Sequence, residues 1–368
     1  MLNYRYHFLA LFTCIAFFGC KTSKAEKTLS TPTEYVLHNE LDVSESECQY
    51  IPPYQGTLIF NSKYSPDDES KSTVVKELDE KYEESTALIN EFTFHIVKLS
   101  DRIVQGGTSE ELTCYLSSVS TWADQSSLTN NTEINHMGKA VKKWALASIA
   151  SSYLKVSLNY SDSIPDATDK LIKNWISTLA YQVKHDYSNR KPSQINNHDY
   201  WAAWAVIASA AVLHDTDLYQ WAEDVFVYAS GQIDNDGFLP NELKRETRAA
   251  MYHNYAMQPL AMVGLFVFEN NPELYEQHRS KIELLTENLF SHALGDDLFK
   301  QKTGLEQVDS EITIKGRTAW LAPYLTYSPS QEAQIRKVMS ITSSFRSTRL
   351  GGDLEFLFLT LTNKPLRD

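Results

Sequence analysis

The chain lacks the marks of several easily recognised classes. Of its 368 residues only 4 are Cys, and no Cys/His spacing has the pattern of a zinc site. Positive charge is not in excess. Lys and Arg number 34 against 47 Asp and Glu, a formal charge of −13, which argues against nucleic acid as a partner. No sustained apolar–polar alternation is present, so a large half-buried sheet is excluded. No internal repeat is visible. The apolar run from Phe8 to Phe18 is too short to cross a bilayer as a folded helix.

That run, with Arg5 before it, reads instead as a targeting segment over residues 1–20. It ends in Phe17-Phe18-Gly19-Cys20 and is followed by a polar stretch. This resembles a bacterial lipoprotein signal, with Cys20 as the lipidation site and an outer-membrane tether as the consequence. Plain secretory cleavage is the alternative. Both export the protein, with the periplasm as the expected location. Cys14 lies inside the signal, which leaves Cys48 and Cys114 as an even pair in an oxidising compartment. A disulfide is the natural reading, and two buried free thiols are the alternative.

Residues 21–50, rich in Lys, Ser, Thr and Glu, read as a polar linker, with order expected from near Ile51 and one domain over 51–368. Asn61 to Thr73 forms a second polar loop. From Val74 onward apolar residues recur at spacings of three and four. They do so in Leu88–Val104, Leu112–Trp122, Lys139–Leu154, Asp169–Lys184, Tyr200–Leu213, Leu218–Ser230, Lys244–Met257, Leu260–Phe268 and Tyr275–Phe290. Many helices joined by short loops define an all-α fold of antiparallel hairpins around a toroid.

Two segments carry chemistry. Asn196-Asn197-His198 stands where a helix begins. Asn196 reads as its N-cap, and His198, in a first turn that disfavours imidazolium, reads as a neutral group able to meet a carboxylate or move a proton. Arg248 and Tyr255, seven apart, share one stripe of the helix expected from Lys244. A phenol becomes a useful base only where a cation favours phenolate, and Arg248 is the candidate for that field. Asp234-Asn235-Asp236-Gly237 fails the register of a calcium loop and reads as a helix–helix turn. Asp236 and Glu242 remain a possible glycosidase pair.

Several longer stretches together resemble the mannuronate-specific alginate lyases of polysaccharide lyase family 5. They are Asn196-Asn197-His198-Asp199-Tyr200-Trp201-Ala202-Ala203-Trp204, Asp236-Gly237-Phe238-Leu239-Pro240-Asn241-Glu242-Leu243 and Tyr252-His253-Asn254-Tyr255-Ala256. Ser62-Lys63-Tyr64, Asn135-His136-Met137-Gly138-Lys139, Lys143-Trp144-Ala145-Leu146 and Arg349-Leu350-Gly351-Gly352-Asp353 extend the match. It runs from about residue 48 to about 355 and is weakest over 302–345.

The resemblance implies an (α/α) toroid, an incomplete barrel with a deep cleft, that needs no metal or cofactor. It implies a polyanionic uronate polysaccharide as partner, and the chain is expected to act as a monomer. It places catalytic roles on Asn197, His198, Arg248 and Tyr255, and a lid on Lys63 and Tyr64. The expected reaction is β-elimination. Asn197, Arg248 and His198 would neutralise the uronate carboxylate and Tyr255 would serve as base and then acid; His198 as base with Tyr255 as acid is the alternative. Lys63, Tyr64, Lys139, Lys143, Trp144, Trp201 and Arg349 are the candidate substrate contacts. A glucuronan lyase, a glycoside hydrolase and a non-catalytic glycan-binding lipoprotein are the rival readings.

Overall fold

The computed structural model describes residues 29–360 apart from 38, 46, 131, 309 and 310. The targeting segment and Cys20 lie outside the described residues. Long helices form hairpins in two layers. α1 (Lys76–Val104), α3 (His136–Tyr160), α5 (Asn197–Leu213) and α8 (Ala249–Asn270) pack side by side as an inner layer. α2 (Ser109–Asp124), α4 (Asp166–Tyr187), α6 (Thr216–Gln232) and α9 (Pro272–Ala293) cover them from outside. Each inner helix hands the chain to an outer one, which is the (α/α) toroid expected. Short α7 (Pro240–Leu243), α10 (Leu298–Thr303), α11 (Leu321–Tyr327) and α12 (Glu332–Met339) fill the later turns. A small antiparallel hairpin, Arg346–Ser347 with Gly352–Asp353, follows. Among the described residues no helix is long and apolar enough to cross a membrane.

Composition explains the layering. α5 is buried nearly all round because it is built from Ala, Val, Ile and Trp, and it touches α3, α4, α6 and α8. α4 and α6 keep an apolar stripe inward and charge outward, as an outer helix must. The helix starts are fixed by local chemistry. Thr108 and Glu111 form a capping box for α2, Asn135 caps α3, Asp215 caps α6, and Asn271 ends α8 and caps α9.

Two expectations change. Lys244–Met257 and Leu260–Phe268 are not separate helices. The chain turns through a 3₁₀ segment at Glu246–Arg248, and α8 then runs unbroken past Pro259. Pro259 is fully buried among inner-layer helices, so tertiary packing holds the helix across a residue that would otherwise break it. The segment read as a linker is also packed from residue 29. Tyr35 is buried against Phe266 and Phe358, Asn159 bonds the backbone at Tyr35 and Leu37, and Tyr160 donates to the Asn39 carbonyl. A few apolar side chains in a polar stretch sufficed to dock it, and average composition hides them.

Cys48 and Cys114 form the expected disulfide, tying this N-terminal strap to α2 across 66 residues of chain. Losing it with Cys48→Ser should destabilise the protein by about 2–4 kcal/mol. Chemical denaturation of the variant against wild type measures this; equal midpoints would show that the strap is held by its packing alone.

Candidate active site

A cleft of about 760 Å³ opens where the N-termini of α3 and α5 and the start of α8 converge beneath the loop 61–73. Gly138 sets one wall. A Cβ there would lie 1.8 Å from the Leu58 carbonyl oxygen, so only Gly lets the strap cross α3 closely enough to bring Phe60 and Asn61 to the rim.

The N-terminal turn of α5 forms the floor. Asn196 caps it as expected, with Asp199 completing the box, and Arg190 clamps Asp199 at 2.7 Å. Asn197 is fully buried on Glu242. Its backbone N–H donates at 2.7 Å and its Nδ2 lies 3.0 Å from each carboxylate oxygen, while Oδ1 has no partner. Burial pushes the Glu242 carboxyl up, opposed by Arg245 and by these bonds. His198 lines the cleft, with its Nδ1 2.6 Å from Lys143 Nζ. Burial first, and then the charge of Lys143 and the neighbouring His136, hold its pKa well below the ordinary histidine value. This environment favours the neutral imidazole.

Tyr255 faces the same space and packs its ring on Trp201, centroids 5.2 Å apart. Its hydroxyl accepts a 2.9 Å bond from Arg349 Nη1. Burial raises its pKa, and the Arg349 charge works against that rise. The cation that tunes Tyr255 is thus Arg349 and not Arg248, because Arg248 sits in the 3₁₀ turn before α8 and is directed at the lid. Arg248 lines the cleft and donates from Nε to the Ser72 carbonyl. Arg245 reaches the Ser70 carbonyl, and Tyr252 donates to Tyr64 at 2.8 Å. Asp68 gathers the lid on itself, accepting from Ser70 and from the backbone of Ser72 and Thr73.

Of the expected contacts, Lys63, Tyr64, Trp144 and Arg349 line the cleft, and the Arg349 guanidinium lies 4.2 Å over the Trp144 ring. Three do not. Trp201 is wholly buried behind Tyr255, Lys139 pairs with Asp186 at 2.9 Å, and Lys143 is wholly buried beneath His198. Helix periodicity shows neither which face is capped by a neighbour nor which lysine is dry. Tyr82, Lys71, Arg245 and Arg317, which no sequence pattern singled out, also line the cleft, as do His136 and Tyr252, which lie in the resembling stretches but carried no role there. Arg245 and Tyr252 each lie three residues before a chosen residue, and that spacing was the available signal. The glycosidase pair dissolves: Asp236 is on the surface with Lys302, Glu242 lies under Asn197, and neither lines the cleft. Asp234 to Gly237 is the expected turn, with φ +81° at Gly237.

Among the described residues six cations line the cleft, Lys63, Lys71, Arg245, Arg248, Arg317 and Arg349, against one carboxylate, Glu69. The acidic chain therefore holds a locally basic cleft.

A two-layer helical toroid with a basic cleft that holds a tyrosine and a histidine defines an (α/α) toroid protein with a site suited to an anion. A sequence model of the alginate lyase family matches residues 60–299, and the chain belongs to that family. It is 33% identical over 348 residues to an alginate lyase of Pseudomonas aeruginosa (strain LESB58), covering 93% of this chain and 94% of the relative. It is 37% identical over 313 residues to an alginate lyase of Pseudomonas fluorescens (strain Pf-5), covering 83% of each. Among solved structures, a variant of alginate lyase A1-III complexed with tetrasaccharide superposes with TM-score 0.69 at 20% identity over 90% of both chains. The A1-III lyase from Sphingomonas species A1 does so with TM-score 0.67 at the same identity and coverage.

Arg349→Met should raise the Tyr255 pKa further. The limb of kcat that rises as the phenol ionises should move to higher pH, with turnover at neutral pH falling on the order of 10²-fold. A pH–rate profile of this variant checks it; an unmoved limb would remove Arg349 from the control of Tyr255.

Proposed function

We propose that this protein cleaves the mannuronate linkages of alginate by β-elimination. The carrying observation is the meeting, in one basic cleft, of a phenol bonded to Arg349 and a neutral histidine. The C5 proton of a uronate is weakly acidic because the adjacent carboxylate resists further negative charge, so donors on that carboxylate stabilise the enolate-like transition state. His198 and Arg248 carry this role. Asn197, its Nδ2 turned to Glu242, offers the acceptor Oδ1, which suits a sugar hydroxyl better than a carboxylate. Tyr255, as phenolate beside Arg349, takes the C5 proton while the C4–O bond breaks. It returns that proton to the leaving oxygen and a C4=C5 double bond remains. In mannuronate both groups leave from one face, so a single residue serves both transfers. The tyrosine is the base because a cation at its hydroxyl favours the phenolate, whereas the lysine at His198 Nδ1 makes that ring a weaker base.

Residues 1–20 are proposed to direct export to the periplasm, with Cys20 as a lipid anchor, and the mature chain is proposed to act as a monomer. Ultraviolet detection of the conjugated product from poly-mannuronate, poly-guluronate and glucuronan tests the activity. Turnover should be fastest on poly-mannuronate, and Tyr255→Phe should lose on the order of 10³-fold in kcat with KM little changed. Glucuronan as the better substrate would move the specificity, and saturated products would end the elimination reading.

The basic cleft adds a salt dependence. The Debye length shrinks from about 10 Å at 0.1 M salt to about 3 Å at 1 M, so KM should climb with salt while kcat changes less. Indifference of KM to salt would transfer polymer capture to the cleft aromatics.

A further inference from the structure

Lys143 is a lysine placed where it cannot touch substrate. It sits on α3 beneath the cleft, fully buried, and forms no ion pair among the described residues. Asp199, the carboxylate whose charge acts on it, pairs with Arg190, and Asp186 pairs with Lys139 and Lys142. An unpaired buried ammonium is costly, and an apolar side chain of the same volume would fill the space more cheaply. Its Nζ has two partners, Tyr187 Oη at 2.9 Å and His198 Nδ1 at 2.6 Å, and it lies over the faces of Tyr187 and Trp144 at 4.6 and 4.9 Å.

An ammonium has no lone pair and can only donate. A ring nitrogen that accepts from it carries no hydrogen, so the hydrogen of the neutral imidazole sits on the other nitrogen. Nε2 of His198 has no protein partner among the described residues, and the residue lines the cleft. We propose that Lys143 is a positioning residue that holds His198 as the Nε2–H tautomer, so that the imidazole presents a hydrogen-bond donor to the cleft and not a base. This rests on the reading that His198 meets the substrate carboxylate. It accounts for the division of labour with Tyr255, since the two rings would otherwise compete for the C5 proton.

A pH dependence follows from the groups around the pair. Lys143 and His136 come from α3, Tyr187 and Arg190 from the end of α4 and the loop after it, and Asp199 from α5. Arg245 and Arg349 approach from the far walls. Burial depresses the Lys143 pKa, with Asp199 opposing that shift and Arg190 and Arg349 adding to it. The ammonium is present at low pH and lost as pH rises through its depressed pKa. A neutral amine can accept from Nδ1–H, which frees the tautomer, so activity should decline on the alkaline side.

The test is ¹⁵N–¹H spectroscopy of the histidine-labelled full chain at neutral pH without substrate, with the His198 signals assigned by their absence in His198→Gln. Nδ1 should be unprotonated and Nε2 protonated in the wild type. Lys143→Met should lose this fixed tautomer, raise the His198 pKa towards the ordinary value and lower kcat by about 10–10²-fold with KM little changed. Lys143→Gln, whose amide can still donate to Nδ1, should recover part of that loss. An Nδ1–H ring in the wild type overturns the proposal. So does a Lys143→Met variant that keeps the wild-type tautomer and titration, whether or not it is active. If Lys143→Met fails to fold, the wild-type spectrum alone decides. Failure of the elimination reading would appear separately, as wild-type enzyme that yields no unsaturated product.

Discussion

The structure turns on one short stretch, the first turn of α5, where ionisable and polar groups are taken out of water and must each find a partner. Asn197 rests on Glu242, His198 on Lys143 and Asp199 on Arg190. Each pairing reaches to a different element: helix α7, helix α3, and the loop after α4. A buried group left without its partner costs more than the pair gains, so this turn cannot form until its neighbours are in place. The geometry of the cleft floor and the stability of the fold are therefore one constraint here.

Arg349 depends on a second buried pairing. Lys155, nearly inaccessible on α3, bonds Asp101 of α1 and the Gly351 carbonyl, and Asp101 in turn accepts from the Asp353 backbone. Gly352 sits at φ +112°, and any Cβ there would collide with the Asp101 carboxylate. The 3₁₀ turn Thr348–Leu350 is thereby pinned between α1 and α3, and Trp204 Nε1 holds the Arg349 carbonyl from α5. The guanidinium that meets Tyr255 thus hangs from a rigid backbone, which suits a group whose distance to the phenol sets its effect.

The lid shows a different economy. Arg245 and Arg248 spend hydrogen bonds on carbonyls of Ser70 and Ser72, so cations that face the cleft also hold the loop above it. Holding the loop over the cleft and gathering positive charge are then coupled, because the same two side chains serve both. Tyr64 and Tyr252 close the other end through a single hydroxyl contact.

Much of this was legible locally. Apolar spacing located the long helices, Asn196 announced the α5 start, and compartment reasoning paired Cys48 with Cys114. The runs around Asn197-His198 and Tyr252–Ala256 marked the site, because local sequence carries local chemistry. Tertiary structure decided the rest. Lys139 and Lys143, four residues apart on one helix, read alike, yet one is at the surface and the other is dry beneath a histidine. Trp144 and Trp201 read alike, yet one faces the cleft and the other lies behind Tyr255. Above all, the cation that governs the tyrosine is not Arg248, seven residues away, but Arg349, 94 residues away. Burial and electrostatic neighbourhood are set by which elements pack against a residue, and packing joins parts of the chain that sequence spacing keeps apart.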